Sequence, residues 1–298
     1  MSTIGFALSG GGSKISFHLG ALEVLSDHGI TPTVVSGTSA GALAGLTVAA
    51  GRLDLLRREL DTIDSFDDIY SGGVRRFAWN LAKWKIGIGD SPLGLFDTRP
   101  LRRRIQRVVQ HIDHLDAVFY PVRVMLETGS VEVQTVLDRA VLDVLASASI
   151  PILAEPVRRN GDHWIDGGTR DFSPISTVVE RHAIDALYVL NTQTLDVTDR
   201  STINDFVDVV QETVDIMTGE IFRNDLRGLT DWNDVARQAE EKGVTITHPR
   251  RNRPIKHIDA TIIEPAAPLP PGTDFSRDAI EAGIASGRTA ARAVLPPA

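Results

Sequence analysis

Three clusters of residues in this chain have the types and spacing needed for acyl chemistry: Gly10-Gly11-Gly12, then Gly37-Thr38-Ser39-Ala40-Gly41, then Asp166-Gly167-Gly168. A serine hydroxyl is a poor nucleophile until a base takes its proton and fixed donors stabilise the oxyanion that its attack creates. Ser39 lies where an apolar strand stops and a helix-forming run begins. Glycine at 37 and at 41 leaves room for the tight corner of a nucleophile elbow. The helix that follows adds a favourable dipole for developing negative charge. Gly10, Gly11 and Gly12 end one strand and start one helix, so their amides can line an oxyanion hole in the same crevice. Taken alone, Gly-X-Ser-X-Gly also fits a small-residue turn that lets strand and helix pack closely. The upstream glycines are what favour catalysis.

Those glycines fit a nucleotide phosphate less well. A Walker loop needs Gly-X-X-X-X-Gly-Lys-Ser/Thr, which Gly12-Ser13-Lys14-Ile15 does not supply, and the Rossmann fingerprint would need glycine where Ile15 stands. Lys14 is positioned to anchor the loop or to face an anionic head group.

The base is the next requirement. In an α/β-hydrolase the elbow follows several strands and the triad ends on a histidine; here one strand and one helix precede the elbow strand. His248 and His257 fall late enough to complete a triad, but both sit among arginines and prolines and are expected at the surface. Asp166 is the better candidate, because Gly167 and Gly168 allow its carboxylate to approach another loop. An ordinary aspartate has a pKa near 4 and is a weak base at neutral pH unless desolvated or hydrogen-bonded to the serine.

The elements that must hold these residues alternate strand and helix. Residues 4–9 read as a buried strand, 13–27 as a helix, 33–36 as a strand and 42–50 as a helix, the signature of α/β architecture with a parallel sheet. Helical spacing continues over 53–62 and 99–110, and 140–147 reads as a helix running into a loop. Residues 121–127 and 131–136 resemble paired strands joined by Thr128-Gly129-Ser130. Residues 186–192 form another apolar strand. A long amphipathic helix is expected over 201–229, with Phe206, Val209, Val210, Val214, Met217 and Ile221 on one face. Strand-like pieces follow over 245–264, then a proline-rich linker at 265–271 and a closing helix over 278–295.

With 42% hydrophobic and 23% charged residues in 298, the chain can bury a large core and has no disordered character. A net charge of −8 argues against general nucleic-acid affinity, which shows as a basic excess. The absence of cysteine excludes disulfides, cysteine nucleophiles and thiolate metal sites. No uninterrupted apolar stretch approaches about 18 residues. The expectation is a cytoplasmic protein, in contact with a membrane at most peripherally.

The three motifs, in this order, resemble the patatin-like phospholipase family, whose pattern is Gly-Gly-Gly-X-Arg/Lys, Gly-X-Ser-X-Gly and Asp-Gly-Gly or Asp-Gly-Ala. Gly94 to Thr98, Ala146 to Pro151 with Glu155-Pro156-Val157, and the helix around Gly283 to Ala293 also look like family segments. The resemblance covers residues 3 to about 192 closely and the rest loosely. It implies a three-layer α/β sandwich, with a mostly parallel central sheet flanked by helices, as a single domain over 1–298. It further implies hydrolysis of lipid or lysophospholipid esters by a Ser39–Asp166 dyad through an acyl-enzyme, with Gly10, Gly11 and Gly12 as oxyanion hole and with no metal or organic cofactor. A thioesterase or transacylase, or a silent lipid-binding module, would share these residues. Two positions depart from the family: Ile15 stands where glycine is frequent, and Phe172 where asparagine is favoured.

One segment stands apart. From Ile69 to Gly89 there is no acidic residue, yet Arg75, Arg76, Lys83 and Lys85 accompany Phe77, Trp79, Leu81 and Trp84. In an acidic chain this reads as a lid or interfacial insertion at about 69–95, with transient membrane contact through 74–85. The alternative is a helix packed on the sheet through its aromatic residues. Arg99, Arg102, Arg103, Arg104 and Arg107 read as a solvated helix face. Residues from about 200 to 298 form the more variable helical part.

Overall fold

The computed structural model describes residues 2–194, 206–248 and 254–296. Its first strand, β1 (Ile4–Leu8), is buried from Gly5 onward, as a strand covered on both faces must be. Its alternation splits it between two cores: Phe6 and Leu8 enter one, Ala7 the other. A short 3-10 turn over Gly12–Lys14 leads into α1 (Ile15–Asp27), which ends in a turn at Gly29 with a positive φ. β2 (Val34–Thr38) is buried throughout and runs into α2 (Ala40–Ala49), an apolar helix packed between sheet and neighbours. The amphipathic α3 (Leu53–Leu60) buries Leu55, Leu56 and Leu60.

The acid-free segment then forms β3 (Ser71–Gly72) and α4 (Val74–Lys85), and β3 pairs antiparallel with β4 (Phe96–Asp97). Next come α5 (Arg99–Val109), β5 (Val118–Met125), β6 (Val131–Glu132), α6 (Ala140–Ser147), β7 (Val157–Arg159) and β8 (Asp162–Asp166). The chain continues through α7 (Ile175–Arg181), β9 (Ala186–Leu190), α8 (Phe206–Glu241), β10 (Asp259–Ile263) and α9 (Arg277–Val294). The expected helix start at Ser201 lies outside the described residues. At the other end, α8 continues past Leu229 to Glu241, supported by close-spaced pairs such as Arg237–Asp234.

The central sheet runs β10-β9-β1-β2-β5-β8-β7, with β6 also on β5. Strands β10, β9, β1, β2 and β5 are parallel, and the β5–β8, β7–β8 and β5–β6 pairs are antiparallel. One helical layer packs on the Phe6–Leu8 core through α1, α2, α3, α5, α6 and α9; α7 and α8 cover the Ala7 core. The architecture is a three-layer α/β sandwich, and the mostly parallel sheet brings the carboxyl ends of β1 and β2 side by side. No helix among the described residues is long and apolar enough to cross a membrane.

Candidate active site

Ser39 stands between β2 and α2 at φ 54°, ψ −121°. A serine held at positive φ is strained and persists only where its surroundings over-determine it. Here its N–H donates to the Ser147 hydroxyl at 3.0 Å and its carbonyl accepts from Ala42 N–H at 2.9 Å. The elbow admits no side chain at its flanks. A Cβ on Gly37 would strike the Gly41 carbonyl, and one on Gly41 would strike the carbonyls of Leu8 and Ser9. Ser39 is 6% exposed, at the edge of an apolar cavity.

Asp166 arrives from the antiparallel side of the sheet. Thr38 lies opposite Val122 and Asp166 opposite Arg123, so the residues ending β2 and β8 meet at one level across β5. The Asp166 amide donates to the Ser149 carbonyl at 3.0 Å, and its Oδ1 accepts the Gly168 N–H at 2.7 Å. Gly167 packs so tightly on β5 that a Cβ would strike the Val122 carbonyl. Burial pushes the Asp166 carboxyl up to about 7, against the pull of hydrogen bonds from Gly168 N–H and the Ser39 hydroxyl. Ser39 and Asp166 therefore face each other, and the acid's pKa lies in the range useful to a general base at neutral pH.

The loop closing α6 positions both residues: Ser147 holds the amide of one, and the Ser149 carbonyl holds the amide of the other. Ser149 is itself fixed by donating its hydroxyl to the Leu145 carbonyl at 2.9 Å. The family segment Ala146 to Pro151 marks this loop without assigning Ser147 or Ser149 a role; a Ser-X-Ser pair at the end of an apolar helix is the signal that points to them.

The glycine loop differs in detail from the expectation. Gly10 N–H donates to the Phe172 carbonyl at 3.1 Å and is engaged within the fold, whereas the amides of Gly11 and Gly12 have no acceptor among the described residues. Gly12 sits at φ 60°, and a Cβ there would strike the Gly272 carbonyl. The proline-rich 265–271 segment is thus more than a linker: Ser13 donates its N–H to the Gly272 carbonyl at 2.9 Å and its hydroxyl to the Pro271 carbonyl at 3.1 Å. Under the loop, His18 donates Nε2–H to the Ser9 carbonyl at 2.8 Å. Burial lowers its pKa to about 4, so it is a neutral brace.

Lys14 is buried and points to Asp215 on α8 at 3.9 Å. It ties the loop to that helix, the first of the two roles its sequence position allows. Ile15 opens α1 with ordinary helical dihedrals and lines the cavity beside Ser39, so the loop needs no glycine there. Phe172 packs its ring against Gly10, where a Cβ would come within 2.8 Å of it.

Ser39 opens on a cavity of about 60 Å³ walled by apolar side chains such as Leu43, Leu60, Ile69, Tyr70 and Phe275, with Glu59 and Arg104 also in its lining. A larger cavity of about 500 Å³ lies on the α7–α8 side and contains neither Ser39 nor Asp166. His248, expected at the surface, lines that second cavity at 4% exposure with its ring 4.3 Å from Trp232; an apolar partner on α8 outweighed its polar sequence context. His257 is exposed beside Asp259. Arg104 also departs from expectation: it is buried, because α5 presents it to the end of α3 rather than to solvent. Among the described residues, no group of three or more His, Asp or Glu side chains is placed to hold a metal ion.

The family model described as patatin-like phospholipase matches residues 6–179. Lysophospholipase NTE1 of Mycosarcoma maydis is 27% identical over 182 residues, 59% of this chain and 9% of that protein. An uncharacterised NTE family protein of Mycobacterium tuberculosis is 28% identical over 189 residues, 59% of this chain and 28% of that one. The chain thus spans well under half the length of these relatives. Among solved structures, VipD from Legionella pneumophila matches with a TM-score of 0.40 and 14% identity, covering 98% of this chain and 67% of that one.

Proposed function

The chain belongs to the patatin-like phospholipase family, and we propose that it is a lipid acyl hydrolase working through a Ser39–Asp166 dyad and an acyl-enzyme. The observation that carries this reading is the pairing of a strained, elbow-borne Ser39 with a buried Asp166 whose pKa is raised to about 7.

In the proposed cycle the Asp166 carboxylate accepts the Ser39 hydroxyl proton as Oγ attacks the ester carbonyl carbon. The carbonyl π electrons move onto oxygen, and the amides of Gly11 and Gly12 donate to the resulting oxyanion. Collapse of the tetrahedral species expels the alcohol portion of the lipid, which takes the proton from Asp166, and leaves the acyl group on Oγ. Water then repeats the sequence: Asp166 takes its proton, hydroxide adds to the acyl carbon, and Ser39 leaves with that proton as the fatty acid is released. Burial strengthens each of these electrostatic interactions. The apolar wall of the cavity suits an acyl chain.

The relative named lysophospholipase supports a lysophospholipid, with its single acyl ester, as substrate. The test is product analysis by mass spectrometry with a mixed lipid extract, comparing the parent with Ser39→Ala. Release of fatty acid by the parent alone is expected. Equal release by both proteins, or no labelling of Ser39 by a fluorophosphonate, would remove the reading. A thioesterase or transacylase would show the same labelling with a different product.

A further inference from the structure

Helix α4 has no buried residue. Val74, Arg75, Ala78, Trp79, Ala82 and Lys85 are exposed along one side, with Val74 at 71% and Trp79 at 63%, and Trp84 is exposed on the flank. The exposed apolar set continues beyond the helix through Ile86 at 72% and Ile88. Lone exposed apolar residues need no explanation, but a contiguous stripe of tryptophan and aliphatic side chains does.

The helix is loosely joined to the body. It is flanked by Gly72 and Gly73, at φ 101° and 100°, and by Gly87 and Gly89, both at φ 78°. Its attachments include the two-residue β3–β4 ladder and Arg76, which reaches Glu155 at 3.1 Å and Asp97 at 3.6 Å. Ile69 and Tyr70, just before β3, line the cavity under Ser39, so α4 begins within a few residues of that cavity.

The charge of this face selects its partner. Arg75, Arg76, Lys83 and Lys85 stand in a stretch without an acidic residue, on a chain of net charge −8. Lys83 stacks over the Trp79 ring at 5.2 Å, which leaves Arg75 and Lys85 as the exposed cations beside the apolar stripe. Tryptophan and basic residues on an amphipathic helix match the interface of an anionic bilayer.

We propose that α4, together with Ile86 and Ile88, docks the protein on an anionic lipid bilayer on the side where Ile69 and Tyr70 line the Ser39 cavity. This rests on the reading of Ser39 as the centre of a lipid hydrolase. The dock would deliver lipid from the layer to Ser39 without full passage of its chain through water.

The 298-residue chain carrying Ser39→Ala, which leaves vesicles intact, tests the dock by co-sedimentation with vesicles of phosphatidylcholine alone and of phosphatidylcholine with phosphatidylglycerol. Binding is expected to the anionic vesicles and to weaken with salt. Arg75→Gln with Lys85→Gln should lower the partition coefficient about 25-fold, at about fivefold per cation. Trp79→Ser with Ile86→Ser should lower it by a similar factor. In the Ser39-intact background the same variants should hydrolyse a soluble short-chain ester at the parent rate, which also shows that they fold. Equal partition of parent and variants, or equal binding to both vesicle types, would overturn the proposal. So would a change of mass in light scattering caused by the α4 substitutions, since the face would then be a protein contact. Loss of soluble-ester turnover in the parent strikes the hydrolase reading instead, and vesicle binding is read independently of it.

Discussion

The amide of Ser39 donates to the hydroxyl of Ser147 at 3.0 Å, so the strained elbow is held by a side chain from the end of α6. Ser147→Ala leaves that buried N–H without an acceptor, at a cost of about 1–3 kcal/mol. The elbow should relax, and kcat for a soluble ester should fall by about tenfold or more while KM changes little, because the substituted group touches no substrate. Steady-state kinetics with the fluorophosphonate labelling rate checks this. A loss confined to thermal stability, with the labelling rate intact, would make Ser147 a packing residue only.

The pH profile follows from the base. Asp166 is pushed up to about 7 by burial, and only its ionised form can accept the Ser39 proton. In the free enzyme kcat/KM should therefore be level above about pH 7 and fall about tenfold per pH unit below it. A profile level down to pH 5 would exclude Asp166 as the base. His18, the histidine beneath the glycine loop, titrates near 4 and is already neutral across this window.

The parts of this site that were legible in the sequence are those governed by local backbone geometry. Gly37, Gly41 and Gly167 are required by close backbone approaches, and the strand–helix alternation around Ser39 follows from apolar periodicity. What could not be read are contacts between distant segments. Gly10 N–H is taken by the Phe172 carbonyl, Gly12 abuts the Gly272 carbonyl, and Lys14 reaches Asp215. Each joins residues more than a hundred positions apart, which no local pattern encodes. Arg104 misled for a related reason: helical spacing gives a face but does not say which neighbour covers it.

The same carboxyl makes stability depend on pH with a definite sign. An aspartate near 4 when unfolded and about 7 when folded binds more protons in the native state between those values, so stability falls as pH rises through that window. Above pH 7 the cost is complete, with an upper bound on the order of 4 kcal/mol. Asp166→Asn keeps the acceptor for Gly168 N–H and removes the titration. It should be inactive, yet melt well above the parent at pH 8 and by a much smaller margin at pH 5, where only about a third of the cost has been reached. Asp171, raised to about 6, and Asp225, raised to about 7, act in the same direction and remain in the variant. Calorimetry at both pH values decides it, and a variant no more stable at pH 8 would refute the assigned burial cost.

Arg104 limits the cavity. Its guanidinium donates to the Asp68 carbonyl at 2.9 Å, the Thr62 hydroxyl at 2.9 Å, the Thr62 carbonyl at 3.1 Å and the Glu59 carboxylate at 3.1 Å. That network joins α5 to the end of α3 and places a rigid polar group, beside Glu59, in a mostly apolar wall. A cavity of about 60 Å³ holds roughly four to six water-sized bodies, enough for a short stretch of acyl chain. Arg104→Met keeps much of the side-chain length and leaves Glu59 paired with Arg107. It should lower stability by about 2–3 kcal/mol through the buried groups it leaves unsatisfied. With the guanidinium gone less of the wall is polar, Glu59 being held by Arg107, so kcat/KM across a series of acyl esters should shift toward longer chains. An unchanged chain-length optimum in a folded Arg104→Met protein would show that the acyl group lies elsewhere.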